Sequence, residues 1–146
     1  MDAFDSDVLI YATVPGHALG RRVKALFTAA PAEVPVGTGS LLLLPEVLSK
    51  PIRDGAAEQQ RDLKALLARL ELLAMGPATA DLATAAAAKY ALRAADALHL
   101  ASALEAGADR FITNNRRDFA QTIEEIDVVY PDDLPDPEHP EETTPG

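Results

Sequence analysis

Short β-prone pieces alternate with helical stretches along almost the whole chain, and this alternation restricts the fold more than any other feature of the sequence. Ala3 to Ala12 reads as a strand giving way to a helix or turn, with Val8, Leu9, Ile10 and Tyr11 as a compact apolar run behind the acids. His17 to Ala30 carries Ala18, Val23, Leu26 and Phe27 at helical spacing, with Arg21, Arg22 and Lys24 between them. Glu33 to Val36 is a short β-prone piece. Gly37-Thr38-Gly39-Ser40 reads as a breaker ending in an N-cap, so a helix should open near Leu41 and end or kink at Pro51. A long amphipathic helix is expected over Asp54 to Leu70 and a strand over Leu72 to Met75. Helices follow over Thr79 to Tyr90 and from Ala94 or Ala95 to Glu105, the second closing at Gly107. Strands are expected at Phe111 to Thr113 and at Asp127 to Tyr130. This order predicts an α/β domain with a short, mainly parallel sheet, right-handed crossovers and ligands outside the carboxyl ends of the strands.

Composition narrows the function classes. At 146 residues the chain is one ordinary domain, large enough to fold on its core without a disulfide or structural metal. It has no cysteine, which removes disulfide frameworks, thiolate zinc sites and a catalytic thiol. No apolar run approaches the about 20 residues of a membrane span; Leu41 to Leu44 is stopped by Pro45 and Glu46. Asp2, Asp5 and Asp7 stand where a signal peptide would be basic, so the expected location is cytoplasmic, with no membrane partner. The net charge of -10 is uneven: residues 131–146 hold six acids and no Lys or Arg, leaving 17 acids against 13 bases in the rest. The expected division is therefore a domain over 1–130 and an acidic, Pro-rich tail over 131–146, disordered from Pro135 to Gly146. An acidic body argues against a broad basic nucleic-acid footprint, although plain solubility also accounts for it.

Four places carry groups able to do chemistry. Asp5-Ser6-Asp7 ends the first strand; its bland reading is a turn in which Ser6 or Asp7 caps the next helix. Glu46 is embedded in apolar sequence and is otherwise a first-turn acid favoured by the helix dipole. Asp96 opens an Ala- and Leu-rich helix, with His99 one turn along the same side; His99 could touch a site, but the commoner role of a lone histidine on an apolar helix is structural. Thr113-Asn114-Asn115-Arg116-Arg117-Asp118-Phe119 leaves a strand into a polar loop, where Asn115 offers a carbonyl oxygen, Asp118 a carboxylate, and Arg116 and Arg117 hold on phosphate; its bland reading is a solvated loop anchored by Phe119.

Taken together these pieces resemble the PIN domain family, and within it the VapC-like toxin ribonucleases of type II toxin–antitoxin systems. The opening Asp-Ser/Thr-Asn/Asp-Val-Leu-Ile pattern is matched by Asp5 to Ile10, the early-helix Glu by Glu46, the Asp-Ala-Leu-His/Ile-Leu-Ala helix start by Asp96 to Ala101, and the Thr-x-Asp/Asn-x-x-x-Phe pattern by Thr113, Asn115 and Phe119. The resemblance spans about residues 3–130. It implies a three-layer α/β/α fold and an endoribonuclease that uses Mg²⁺ or Mn²⁺. Asp5, Glu46, Asp96 and Asn115 would be the catalytic and metal-binding set, with Asp118 as a further ligand. Ser6, Asp7 and Thr113 would support it, and Arg116 and Arg117 would bind RNA. A small antitoxin partner and a homodimer are implied as well. Asn115 stands where many relatives have Asp, which removes one charge from the set.

The chemistry explains why such acids would converge. Two carboxylates about 4 Å apart repel by about 4 kcal/mol at an effective dielectric of about 20, so three in one cleft require a cation or a proton. Two other readings compete. A haloacid dehalogenase-like phosphatase would use Asp5 as nucleophile in Asp5-Ser6-Asp7, but it needs a later Lys, and none follows Lys89. A non-catalytic PIN-fold binding module is favoured by Asn115.

Overall fold

The computed structural model describes residues 1–139; the part of the expected tail from 140 to 146 lies outside the described residues. Five parallel strands form one sheet in the order β3-β2-β1-β4-β5: β1 (Asp2–Phe4), β2 (Gly37–Ser40), β3 (Leu70–Leu73), β4 (Arg110–Ile112) and β5 (Asp127–Val129). Helices α1 (Ser6–Ala12), α2 (Ala18–Ala29), α3 (Leu43–Arg53) and α4 (Ala57–Leu67) cover one face. Helices α5 (Pro77–Tyr90) and α6 (Ala94–Glu105) cover the other. Neighbouring strand residues feed opposite cores: Ala3 and Phe111 pack with α5 and α6, whereas Phe4 and Ile112 pack with α1 to α4. That alternation follows from the two-residue repeat of a strand, and it makes the fold three layers, α/β/α, as expected. Every strand pair is parallel, so the sheet is wholly rather than mainly so.

Strand β2 departs most from the sequence reading. The stretch expected to break the chain is itself a strand, all four of its residues buried between β1 and β3. Its glycines are there for close approach. A Cβ on Gly37 would lie 2.1 Å from the Asp2 carbonyl oxygen and 2.9 Å from a Phe4 ring carbon, and one on Gly39 would lie 2.3 Å from Leu43. Ser40 does not cap α3, which opens at Leu43; its hydroxyl instead accepts from the Leu42 N–H at 3.0 Å. Pro51 lies inside α3 without ending it. The long helix expected over Asp54 to Leu70 is shorter at both ends. Gly55, at φ +67, turns the chain into α4, and Leu70 already belongs to β3.

Contacts with the domain continue past residue 130. Pro131–Asp133 forms one 3-10 turn, and Leu134 is fully buried against α1 to α4. Asp136, 4% exposed, receives Arg21 through two N–H groups at 3.1 and 2.8 Å. Pro131, Leu134 and Asp136 are therefore packed on the domain. Their apolar and charged partners lie on α2, more than a hundred residues away, and a local reading of Pro- and Asp-rich sequence has no view of them. Among the described residues, no helix is long and apolar enough to cross a membrane.

Candidate active site

The strand order places a switch point at the centre of the sheet. From β1 the chain steps outward to β2 and β3 on one side, then crosses to β4 on the other, so the connections leaving β1 and β4 diverge. In open α/β sheets the crevice at such a point is the usual ligand site. Asp5 leaves β1 there and Thr113 leaves β4. The Asp5 N–H donates to the Ile112 carbonyl at 2.9 Å, which locks the two strand ends together.

Asp5 rather than Ser6 or Asp7 caps α1, with one carboxylate oxygen accepting from the Ser6 N–H at 2.8 Å. The other accepts from the Thr113 hydroxyl at 2.7 Å. The residue is 4% exposed. Burial raises its pKa, against the Thr113 hydrogen bond, the His99 charge and the Ser6 N–H, while Glu46 adds to the rise. Asp7 accepts from the Val8 N–H at 2.8 Å and from the Asn114 N–H at 3.0 Å, tying α1 to the loop after β4. Burial, then the charge of Asp5, pushes its carboxyl up to about 7.

Asp96 stands in the first turn of α6, where burial first, then the charges of Asp5 and Asp118 and a hydrogen bond shared with Asp118, push it up to about 6. Asn115 joins the two halves. Its N–H donates to the Thr113 hydroxyl oxygen at 3.1 Å and its side-chain amide to Asp118 at 3.0 Å. One chain of contacts thus runs Asp5, Thr113, Asn115, Asp118, Asp96. Glu46, in the first turn of α3, reaches the cluster through His99, whose Nε2 contacts its carboxylate. Burial alone would lower the His99 pKa, but Glu46, Asp5 and Asp96 outweigh it and raise it.

All four acid and amide positions singled out from the sequence, and Asp118 with them, therefore meet at one end of the sheet. Ser6 contributes its N–H, and Thr113 its hydroxyl in both directions. His99 was read as structural; its place in the network had one signal in the sequence, the three-residue offset from Asp96 on the same helix. Of the two arginines, Arg116 is bound to its own chain, paired with Asp132 and lying 4.5 Å over the Tyr130 ring, while Arg117 is exposed. Among the described residues no three His, Asp or Glu side chains stand close enough together to hold a metal ion. The donor set itself suits a hard divalent cation: oxygen donors running from the buried Asp5 to the exposed Glu46, with the carboxyls of Asp5, Asp7 and Asp96 raised by burial and mutual repulsion. A cavity of about 600 Å³ opens elsewhere, between α2 and α4, and none of these acids lines it.

A sequence model of the PIN domain matches residues 3–125. Among solved structures, a toxin–antitoxin complex from Klebsiella pneumoniae superposes with a TM-score of 0.70 at 27% identity, over 90% of this chain and 98% of that one. VapBC2 from Rickettsia felis, bound to a DNA fragment from its promoter, superposes with a TM-score of 0.67 at 16% identity, over 88% of this chain and 97% of that one; this second likeness is one of fold alone. Among curated proteins, no sequence matches this chain.

Proposed function

Since the chain belongs to the PIN domain family, whose members are in general nucleases, we propose that it is a metal-dependent endoribonuclease that hydrolyses RNA phosphodiester bonds as the toxin of a toxin–antitoxin pair. One observation carries this reading. Three acids from β1, α3 and α6 gather at the switch point of the sheet, and burial and mutual charge keep Asp5 and Asp96 from ionising freely. A fold gains nothing from such a conflict unless a cation resolves it. The family match leaves the phosphatase reading without support.

A bound Mg²⁺ or Mn²⁺ ion supplies an activated water and neutralises charge building on the phosphate. Asp5, Glu46 and Asp96 would hold the ion once it draws their carboxylates together, and Asn115 would add its carbonyl oxygen. Asp118, three residues on, would supply part of the charge that Asn115 lacks. Thr113 and the Ser6 N–H keep the Asp5 carboxylate in one orientation. Asp7 fastens the loop after β4, from which Arg117, and Arg116 once released from Asp132, position the RNA backbone. Because the body is acidic, RNA binding rests on these few cations and the metal, with a modest salt dependence.

The test is cleavage of total cellular RNA over a titration of Mg²⁺ and Mn²⁺, wild type beside Asp5→Asn. The expected outcome is metal-dependent cleavage that EDTA abolishes and Asp5→Asn removes with the fold intact. Undiminished cleavage in EDTA would end the metal reading, and a folded wild type inert at every metal concentration would favour a binding module. The Klebsiella likeness supports an antitoxin partner. Co-purification with the product of a short upstream reading frame tests it. Exposed Leu44 and Ile52 on α3 support a homodimer, which light scattering checks.

A further inference from the structure

We propose that His99 is a positioning residue that holds the Glu46 carboxylate at the edge of the acid cluster. The inference rests on the nuclease reading above and adds to it a residue that the sequence left as structural.

Glu46 is the outlier of the cluster. Asp5 is gripped by two hydrogen bonds and buried, but the Glu46 side chain is 34% exposed and its one side-chain hydrogen bond among the described residues is to the His99 imidazole. A glutamate has three side-chain torsions, and fixing such a chain costs about 1–2 kcal/mol of rotamer freedom. Without His99, nothing on α3 would keep the carboxylate turned toward Asp5 and Asp96. His99 suits the task because it is itself immobile. It is 2% exposed on α6, one turn from Asp96, so the same rigid element that presents Asp96 also fixes Glu46, across a separation of 53 residues.

The second nitrogen of the ring gives an independent argument. Nδ1 is buried and has no hydrogen-bond partner among the described residues. A carboxylate only accepts, so Nε2 carries a proton toward Glu46, while Nδ1 is left without a partner whether or not it too is protonated. Leaving a buried polar atom unpaired is unfavourable, and a residue kept for packing alone would be served better by leucine at this site. The imidazole makes sense if what matters is the group that Nε2 touches. Ligand carboxylates are commonly held by such outer hydrogen bonds, whose loss weakens metal affinity or activity by about 10–100-fold.

The experiment compares full-length wild type, His99→Leu, His99→Gln and Glu46→Ala. Thermal unfolding without metal comes first, then Mn²⁺ binding by calorimetry, then RNA cleavage. His99→Leu should melt close to wild type, since losing the unpaired nitrogen offsets the lost hydrogen bond. It should nevertheless bind Mn²⁺ about tenfold more weakly and lose kcat with little change in KM. His99→Gln, which can offer an amide N–H near the place of Nε2, should restore most of both. In metal-free wild type the His99 Nε2–H should give a slowly exchanging proton signal by NMR that disappears in Glu46→Ala. Equal Mn²⁺ affinity and kcat in His99→Leu and wild type would overturn the positioning role while the nuclease reading stands. So would the absence of the Glu46-dependent proton signal. A wild type that keeps that signal but neither binds Mn²⁺ nor cleaves RNA would sink the nuclease reading and leave the His99–Glu46 pairing in place.

Discussion

Asp5 has two tasks that pull against each other. As the cap of α1 and the partner of Thr113 it stabilises the meeting of β1 and β4; as a buried carboxylate beside Asp7, Glu46 and Asp96 it is electrostatically strained. An amide at this position keeps an oxygen for the Ser6 N–H and drops the charge. Asp5→Asn should therefore raise the melting temperature of the metal-free protein, by about 1 kcal/mol or roughly 4 °C at this size, while abolishing cleavage. Calorimetry in chelator checks the first half, and a lower melting temperature would mean that the cap outweighs the strain. Asp5, Glu46, Asp96 and Asn115 were legible in the sequence because each carries its signal locally, an acid or amide at the edge of a strand or helix. His99 was legible only in part: its offset from Asp96 put it within reach of a site, but its contact with Glu46 comes from a different helix.

At the scale of elements the sequence served well where periodicity decides and poorly where close packing does. Helices α2, α5 and α6 fall within about two residues of their expected spans, since each turns an apolar stripe to a core and ends in ordinary stop signals. Strand β2 was missed because glycine read alone means a turn, whereas Gly37 and Gly39 are small so that β1 and α3 can come close. Gly37→Ala tests that account. The added methyl meets the Asp2 carbonyl at 2.1 Å, and a backbone atom cannot rotate away as a side chain can. The loss should reach or exceed the about 1–3 kcal/mol typical of overpacking, seen as a lower urea midpoint. Gly16→Ala, at a turn where a Cβ meets nothing within 4 Å, should lose less, its loss coming only from strain at φ +76. Equal losses at the two sites would show that glycine's freedom, not its size, is what β2 requires.

Across the whole molecule the acids set how stability and metal binding respond to pH. In the fold Asp7 is pushed up to about 7 and Asp96 to about 6, and Asp5 is raised as well. An unfolded Asp titrates near about 3.9. Between about pH 4 and pH 7 the folded chain therefore holds protons that the unfolded chain has released, and stability falls as pH rises through that window. Asp136 behaves in the opposite way. Arg21 holds it at about 2, so its contribution is intact above the usual carboxylate range and is lost only under stronger acid. The net charge of -10 pushes in the same direction as the cluster, because repulsion grows with ionisation. Metal-free protein in chelator should thus melt highest near pH 5 and progressively lower toward pH 8. Adding Mn²⁺ should raise the melting temperature more at pH 8 than at pH 5, where protons already occupy the acids and compete with the ion. Asp5→Asn, which changes the net charge by only one unit, separates the two sources: if the cluster dominates, its melting temperature should fall less steeply between pH 5 and pH 8. A wild type whose melting temperature is flat or rises over that range would mean that the acids ionise freely in the fold, and the conflict on which the metal reading rests would be gone.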